Sequence, residues 1–248
     1  MKRAFIALGL STLLLATISP PTPTVETHWL AFSFRSDADG YCPAPIDRPI
    51  VAAEERPTRA DVAVPDEWTD LVLESGSLTV LHRDEKAWTS DPSWDVRQVV
   101  AADLDNDKQQ EVAFVLWKPF HREPDVVYQT FDFHSPWEEG SQRNHLFVYA
   151  WREGEWQPLW CSSPIPDPVV QIAAGDVDGD GAYELVALEG SYGEDPRAPA
   201  HHVSVWRWNG WGFSLQWRSP LGLYEDLTLF DVTGDHVPEI LAQDGTRQ

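Results

Sequence analysis

The chain has 248 residues, with 18 Lys and Arg against 40 Asp and Glu, for a formal net charge of −22. That sign repels phosphate backbones and anionic membrane surfaces, so no nucleic-acid partner is expected. A hydrophobic fraction of 42% with 13 Trp can bury a core and excludes wholesale disorder, while two cysteines, Cys42 and Cys161, are too few for a disulfide scaffold.

Residues 1–19 begin with Lys2 and Arg3 and continue through an uncharged stretch over 4–18. That pattern fits a secretory signal, or an uncleaved anchor that holds the chain to a membrane through residues 4–18. Either one places the body outside the cytoplasm: secreted, periplasmic, or membrane-anchored and facing outward. Residues 20–68 read as a Pro-rich tether, with Pro20, Pro21, Pro23, Pro43, Pro45, Pro49, Pro57 and Pro65. Its one apolar island, His28 to Phe34, is a candidate strand docking on the main body. A Cys42–Cys161 disulfide would pin the tether to the body; two unpaired thiols are the plainer reading.

Residues 69–248 form the body, and they repeat. After short strand candidates at Leu71–Leu73, Leu78–His82 and Ala87–Thr89, three segments match one another. Each has an apolar run, oxygen side chains at positions 1, 3, 5 and 9, and a second apolar run. The first (loop 1) carries Asp103, Asp105, Asp107 and Glu111; the second (loop 2) carries Asp176, Asp178, Asp180 and Glu184; the third (loop 3) carries Asp231, Thr233, Asp235 and Glu239. Between them Val148, Trp151, Trp156 and Trp160 are matched in spacing by Val205, Trp208, Phe213 and Trp217. Glu153-Gly154 and Asn209-Gly210 mark two-residue hairpin turns with positive φ at both positions. The recurring Trp are expected to pack between units.

The unit is strand, acidic loop, strand, connection, strand, tight hairpin, strand. Four antiparallel strands repeated in this way predict an all-β, β-propeller-like array of blades. One blade spans about Val99–Ser163 and the next about Val169–Ser219. The count comes to about three, as an open arc, a ring closed by terminal strands, or an array completed by homo-oligomerisation. Residues 119–144 and 191–201 are insertions between equivalent strands. The first is aromatic and polar and is the expected contact for a protein or carbohydrate partner.

The loop spacing has a physical reason. Ca²⁺ takes about 6–8 oxygen ligands. Alternate residues of a tight loop turn their oxygens inward, and a carboxylate at position 9 closes the cage. Gly181 at position 6 permits the sharp turn; Lys108 and His236 stand there in the other loops, at a cost in strain if φ is positive. Without a cation such clustered carboxylates repel one another. Eleven of the 40 carboxylates fall in these loops, so much of the charge excess reads as a metal requirement.

These loops resemble the FG-GAP/VCBS repeats of integrin α-subunit-type β-propellers, in which D-x-D-x-D-G-x-x-E sits between the first two strands of a blade. The resemblance covers roughly residues 78–245. It implies a calcium-stabilised propeller acting in extracellular binding and adhesion. The implied ligands are the eleven acids named above, with Lys108, Thr233 and His236 departing from the pattern. The expected function is therefore that of a non-catalytic, calcium-binding adhesion or scaffold protein. The alternatives are an accessory subunit of a membrane complex held by the N-terminal segment, and a carbohydrate-active enzyme. The enzyme reading would need an acid pair outside the repeat, for which Asp125, Asp132, Glu138 and Glu139 are the candidates.

Overall fold

The structure is a computed structural model that describes residues 29–34, 36–37, 40–41, 44–45, 70–82, 85–121, 138–193 and 198–246. The segment 1–19, Cys42, the tether beyond residue 45, and Asp125 and Asp132 of the insertion lie outside the described residues. The N-terminal strands are β1 (Trp29–Ser33), β2 (Ser36–Asp37), β3 (Gly40–Tyr41) and β4 (Ala44–Pro45). Next come β5 (Asp70–Glu74), β6 (Ser77–His82) and β7 (Glu85–Thr89), then β8 (Asp95–Ala102), β9 (Glu111–Pro119), β10 (Gln142–Arg152) and β11 (Glu155–Cys161). The chain continues with β12 (Val169–Gly175), β13 (Glu184–Glu189), β14 (His202–Trp208) and β15 (Phe213–Arg218), and ends with β16 (Tyr224–Phe230) and β17 (Glu239–Asp244). There is no helix among the described residues.

The strands form four antiparallel sheets, beside the short β2–β3 pair. Two have consecutive order, β8-β9-β10-β11 and β12-β13-β14-β15. A third, β5-β6-β7, has three strands, and the fourth has order β16-β17-β1-β4. Within the island, Trp29–Ser33 is thus a strand of the C-terminal sheet: β1 pairs with β17 from Trp29↔Gln243 to Phe32↔Ile240. There are four sheets where sequence supports about three, because β5 joins β6 and β7, and β1 joins the last hairpin.

The repeat extends to irregularities. The last two strands of three sheets slip register after Val80, Val148 and Val205, each of which faces a Trp (Trp88, Trp160 and Trp217). First and second strands slip after Val96, Val169 and Tyr224, each seven residues before an acidic loop. A bulge adds local twist, so each sheet is coiled at matching places. One turn departs from expectation. Glu153 and Gly154 do form a two-residue turn with φ of 55° and 82°. Asn209-Gly210 is part of a four-residue loop, closing only at Trp208↔Phe213, because the Asn209 side chain accepts from the N–H groups of Trp211 and Gly212.

Three cores lie between successive sheets. Strand β9 shows why. Val112, Phe114 and Leu116 face the β5-β6-β7 sheet with Leu78 and Val80. Ala113 and Val115 face the other way, against Val169, Ile172, Leu185 and Ala187. On β13 the same alternation sends Leu185 and Ala187 to one side, and Val186 and Leu188 to a core shared with Leu227, Ile240 and Ala242. Central strands buried on both faces read as continuous apolar runs, as EVAFVLW and ELVAL do. Trp156, Trp151, Trp160 and Trp217 pack in or against these cores, as the repeat predicted; Trp208 does not, and instead meets Phe213 of its own hairpin at 5.4 Å.

Candidate metal centre

Each acidic loop links the first strand of a sheet to the second, and the position-9 Glu is the first residue of that second strand. Ala102 pairs with Glu111, Gly175 with Glu184, and Phe230 with Glu239. Position 2 anchors loops 1 and 2 from below, since Leu104 and Val177 are buried in the cores between sheets.

One hydrogen-bond skeleton recurs in all three loops. The position-2 N–H donates to Oε2 of the Glu: Leu104 to Glu111 at 2.9 Å, Val177 to Glu184 at 3.1 Å, and Val232 to Glu239 at 2.8 Å. The position-6 N–H donates to Oδ2 of the first Asp: Lys108 to Asp103 at 3.0 Å, Gly181 to Asp176 at 2.9 Å, and His236 to Asp231 at 2.8 Å. The position-7 N–H donates to the position-5 Asp in each loop. Two residues per loop turn left-handed: Asn106 and Lys108, Gly179 and Gly181, Gly234 and His236.

The loops differ in what they bring together. Carboxylate oxygens of Asp103, Asp105 and Glu111 lie within 4.8 Å of one another, and so do those of Asp176, Asp178 and Glu184. No third such group occurs among the described residues. In loop 3, Asp231 accepts from the N–H groups of Gly234, Asp235 and His236, and the Thr233 hydroxyl lies 3.1 Å from Glu239 Oε1 and 3.5 Å from Asp231 Oδ1. A hydroxyl and backbone donors serve Asp231 and Glu239 there, and Asp235 stands apart. Asp107 and Asp180, the position-5 acids of loops 1 and 2, are outside the triads.

In loops 1 and 2 the skeleton leaves matching oxygens over. Asp103 Oδ1 and Glu111 Oε1, and likewise Asp176 Oδ1 and Glu184 Oε1, are buried without a hydrogen-bond donor. Glu111 and Glu184 are only 1% and 0% exposed. Burial, and then the charge of Asp105, pushes Glu111 up to about 7. Burial, and then the charge of Asp178, pushes Glu184 up to about 8. Buried carboxylate oxygens with no donor are costly.

Two arginines reach the same loops, and the spacing of the acids alone does not reveal them. Arg152 at the end of β10 lies 2.9 Å from Asp105 Oδ2 and 3.7 Å from Asp107 Oδ2. Arg207 of β14 lies 2.5 Å from Asp180 Oδ2, 3.5 Å from Asp178 Oδ2 and 3.8 Å from Glu184 Oε1. The donor set of each triad is all carboxylate oxygen, which suits a hard divalent ion and not a soft transition metal. The buried, donorless oxygens of Asp103, Glu111, Asp176 and Glu184 fit that use.

Glu139, in the described part of the insertion, contacts His121 Nδ1 at 3.0 Å on the surface. Cys161 is exposed, and its candidate partner Cys42 lies outside the described residues. Compared with protein-family models and with curated proteins, the chain gives no match.

Proposed function

We propose that the chain is an extracytoplasmic, non-catalytic binding or scaffold protein, a propeller-like array of blades that calcium stabilises at loops 1 and 2. The observation that carries the reading is the pair of buried acidic triads on one hydrogen-bond skeleton, each with two carboxylate oxygens lacking a donor. A bound divalent ion would offset the burial and the carboxylate repulsion that raise Glu111 and Glu184, and would hold the loop that joins the first two strands of its sheet. Asp103, Asp105 and Glu111 would hold one ion, and Asp176, Asp178 and Glu184 another. The propeller-like reading is supported by the repeated strand order, by cores between successive sheets, and by a sheet that joins β1 to β17. The resemblance to FG-GAP/VCBS repeats points the same way, toward a protein or carbohydrate partner.

Thermal unfolding of chelator-stripped protein tests the reading. An ion that binds only the folded state stabilises it, by about 2.7 kcal/mol at a hundredfold excess over Kd. At about 2–4 °C per kcal/mol for a fold of this size, saturating calcium should raise the midpoint by several degrees, and chelator should reverse it. No shift with calcium would overturn the reading.

A further inference from the structure

We propose that Arg152 and Arg207 are resident cations of loops 1 and 2: they hold the carboxylates at positions 3 and 5, keep the loops folded without a divalent ion, and set how tightly that ion binds. The inference rests on reading these loops as divalent-cation sites.

Two arginines arrive at the same place from different places in the repeat. Glu184 pairs with Arg207 across β13 and β14. Across β9 and β10 the residue paired with Glu111 is Ala150, and Arg152 lies two residues further on. A simple copy of the repeat would align them, and it does not. What recurs is the destination of the guanidinium, not its origin in the chain.

The division of oxygens within each loop agrees with this. At position 3 both oxygens are engaged: Asp105 accepts from the Asp107 N–H at 3.2 Å and from Arg152 at 2.9 Å. Asp178 accepts from the Asp180 N–H at 3.1 Å and from Arg207 at 3.5 Å. At position 5, Asp180 adds a contact to Arg207 at 2.5 Å. The oxygens without a donor belong to positions 1 and 9. The arginine therefore engages positions 3 and 5 most closely, shares the position-3 acid with the ion, and in loop 2 also comes within 3.8 Å of Glu184 Oε1. A fixed positive charge beside a divalent ion repels it, and partly buried charges are poorly screened by salt. The same charge offsets carboxylate repulsion when the ion is absent. Its removal should thus have opposite effects on ion-free stability and on ion affinity, which an arginine that merely packed would not produce.

The test uses the full chain stripped of metal, with calcium alone as the probe in titration calorimetry and in unfolding with and without chelator. Arg207→Gln should lower the chelator midpoint and tighten calcium binding at one site by about tenfold, the factor carried by 1.4 kcal/mol. Arg152→Gln should do the same at the other site. Arg207→Lys, which keeps the charge, should stay within about threefold of the parent affinity. Arg97→Gln, which removes an exposed charge paired to Asp95, should leave affinity unchanged. Unchanged or weaker binding in R207Q would overturn the proposal, as would an R207Q chain that stays unfolded in saturating calcium. Absence of saturable calcium binding in the parent chain is a separate failure, that of the cation-site reading itself, and takes the proposal with it.

Discussion

Position 6 of the acidic loops is a backbone test carried out three times in one chain. Lys108 and His236 both hold φ of 71°, where Gly181 holds 91°. A side chain in that conformation crowds its own carbonyl, at about 1–2 kcal/mol. Lys108→Gly should therefore raise the urea midpoint, by an amount equivalent to about 1 kcal/mol. Gly181→Ala should lower it by about 1–2 kcal/mol, and since a Cβ there would meet nothing within 4 Å, the cost is backbone alone. Stabilisation by G181A would contradict this. His145 is the other residue with a measurable consequence. Its Nδ1 lies 3.1 Å from the Ser162 carbonyl, its Nε2 is buried without a partner, and burial drives its pKa from 6.5 down to about 4. The folded state thus binds this proton less readily than the unfolded chain. Stability is lost as pH falls from about 6.5 to about 4 and is fully present above that window. His145→Gln should flatten this limb in urea midpoints measured against pH; an unaltered limb would refute the assignment. Spacing of oxygen side chains identified the loops, because a cation cage needs neighbouring residues in one turn. It did not identify Arg152 and Arg207, which come from another strand and from unequal repeat positions.

Elements in this fold are two-sided. Strand β9 lies second in its sheet, and its side chains alternate between two cores. Phe114 is fully buried, with Trp88, Trp94, Phe147 and Tyr149 rings around it at centroid distances of 5.3 to 6.4 Å. Phe114→Ala should cost about 3–5 kcal/mol in chemical denaturation; a loss below 1 kcal/mol would mean that the sheets repack around the gap. The hairpins show how far turn chemistry can be read. Glu153-Gly154 forms the turn its two residues specify. At Asn209-Gly210 the side chain of Asn209 takes two further N–H groups and lengthens the loop, a tertiary-independent choice that the dipeptide alone does not distinguish. The paired bulges were also not apparent from sequence, since a single extra residue leaves the apolar pattern nearly intact on both sides.

At the scale of the molecule, the four sheets follow one repeated plan, and the last borrows its third and fourth strands from the N-terminal region. That loan was only half legible: the island at 28–34 is apolar enough to be a strand, but its partner lies at the other end of the sequence. Removing residues 29–34 should leave β17 with an unpaired edge beside exposed Ile240 and Ala242. Light scattering should then show self-association in place of a monodisperse species; an unchanged, equally stable species would argue that β1 is dispensable. The direction of that pairing has a mechanical consequence. Trp29, where β1 begins, lies opposite Gln243, close to the end of β17. The chain enters and leaves this pair on the same side, so tension between its ends would load one ladder bond at a time. The clasp should peel like a zipper at low force, releasing β1 before any acidic loop feels the load.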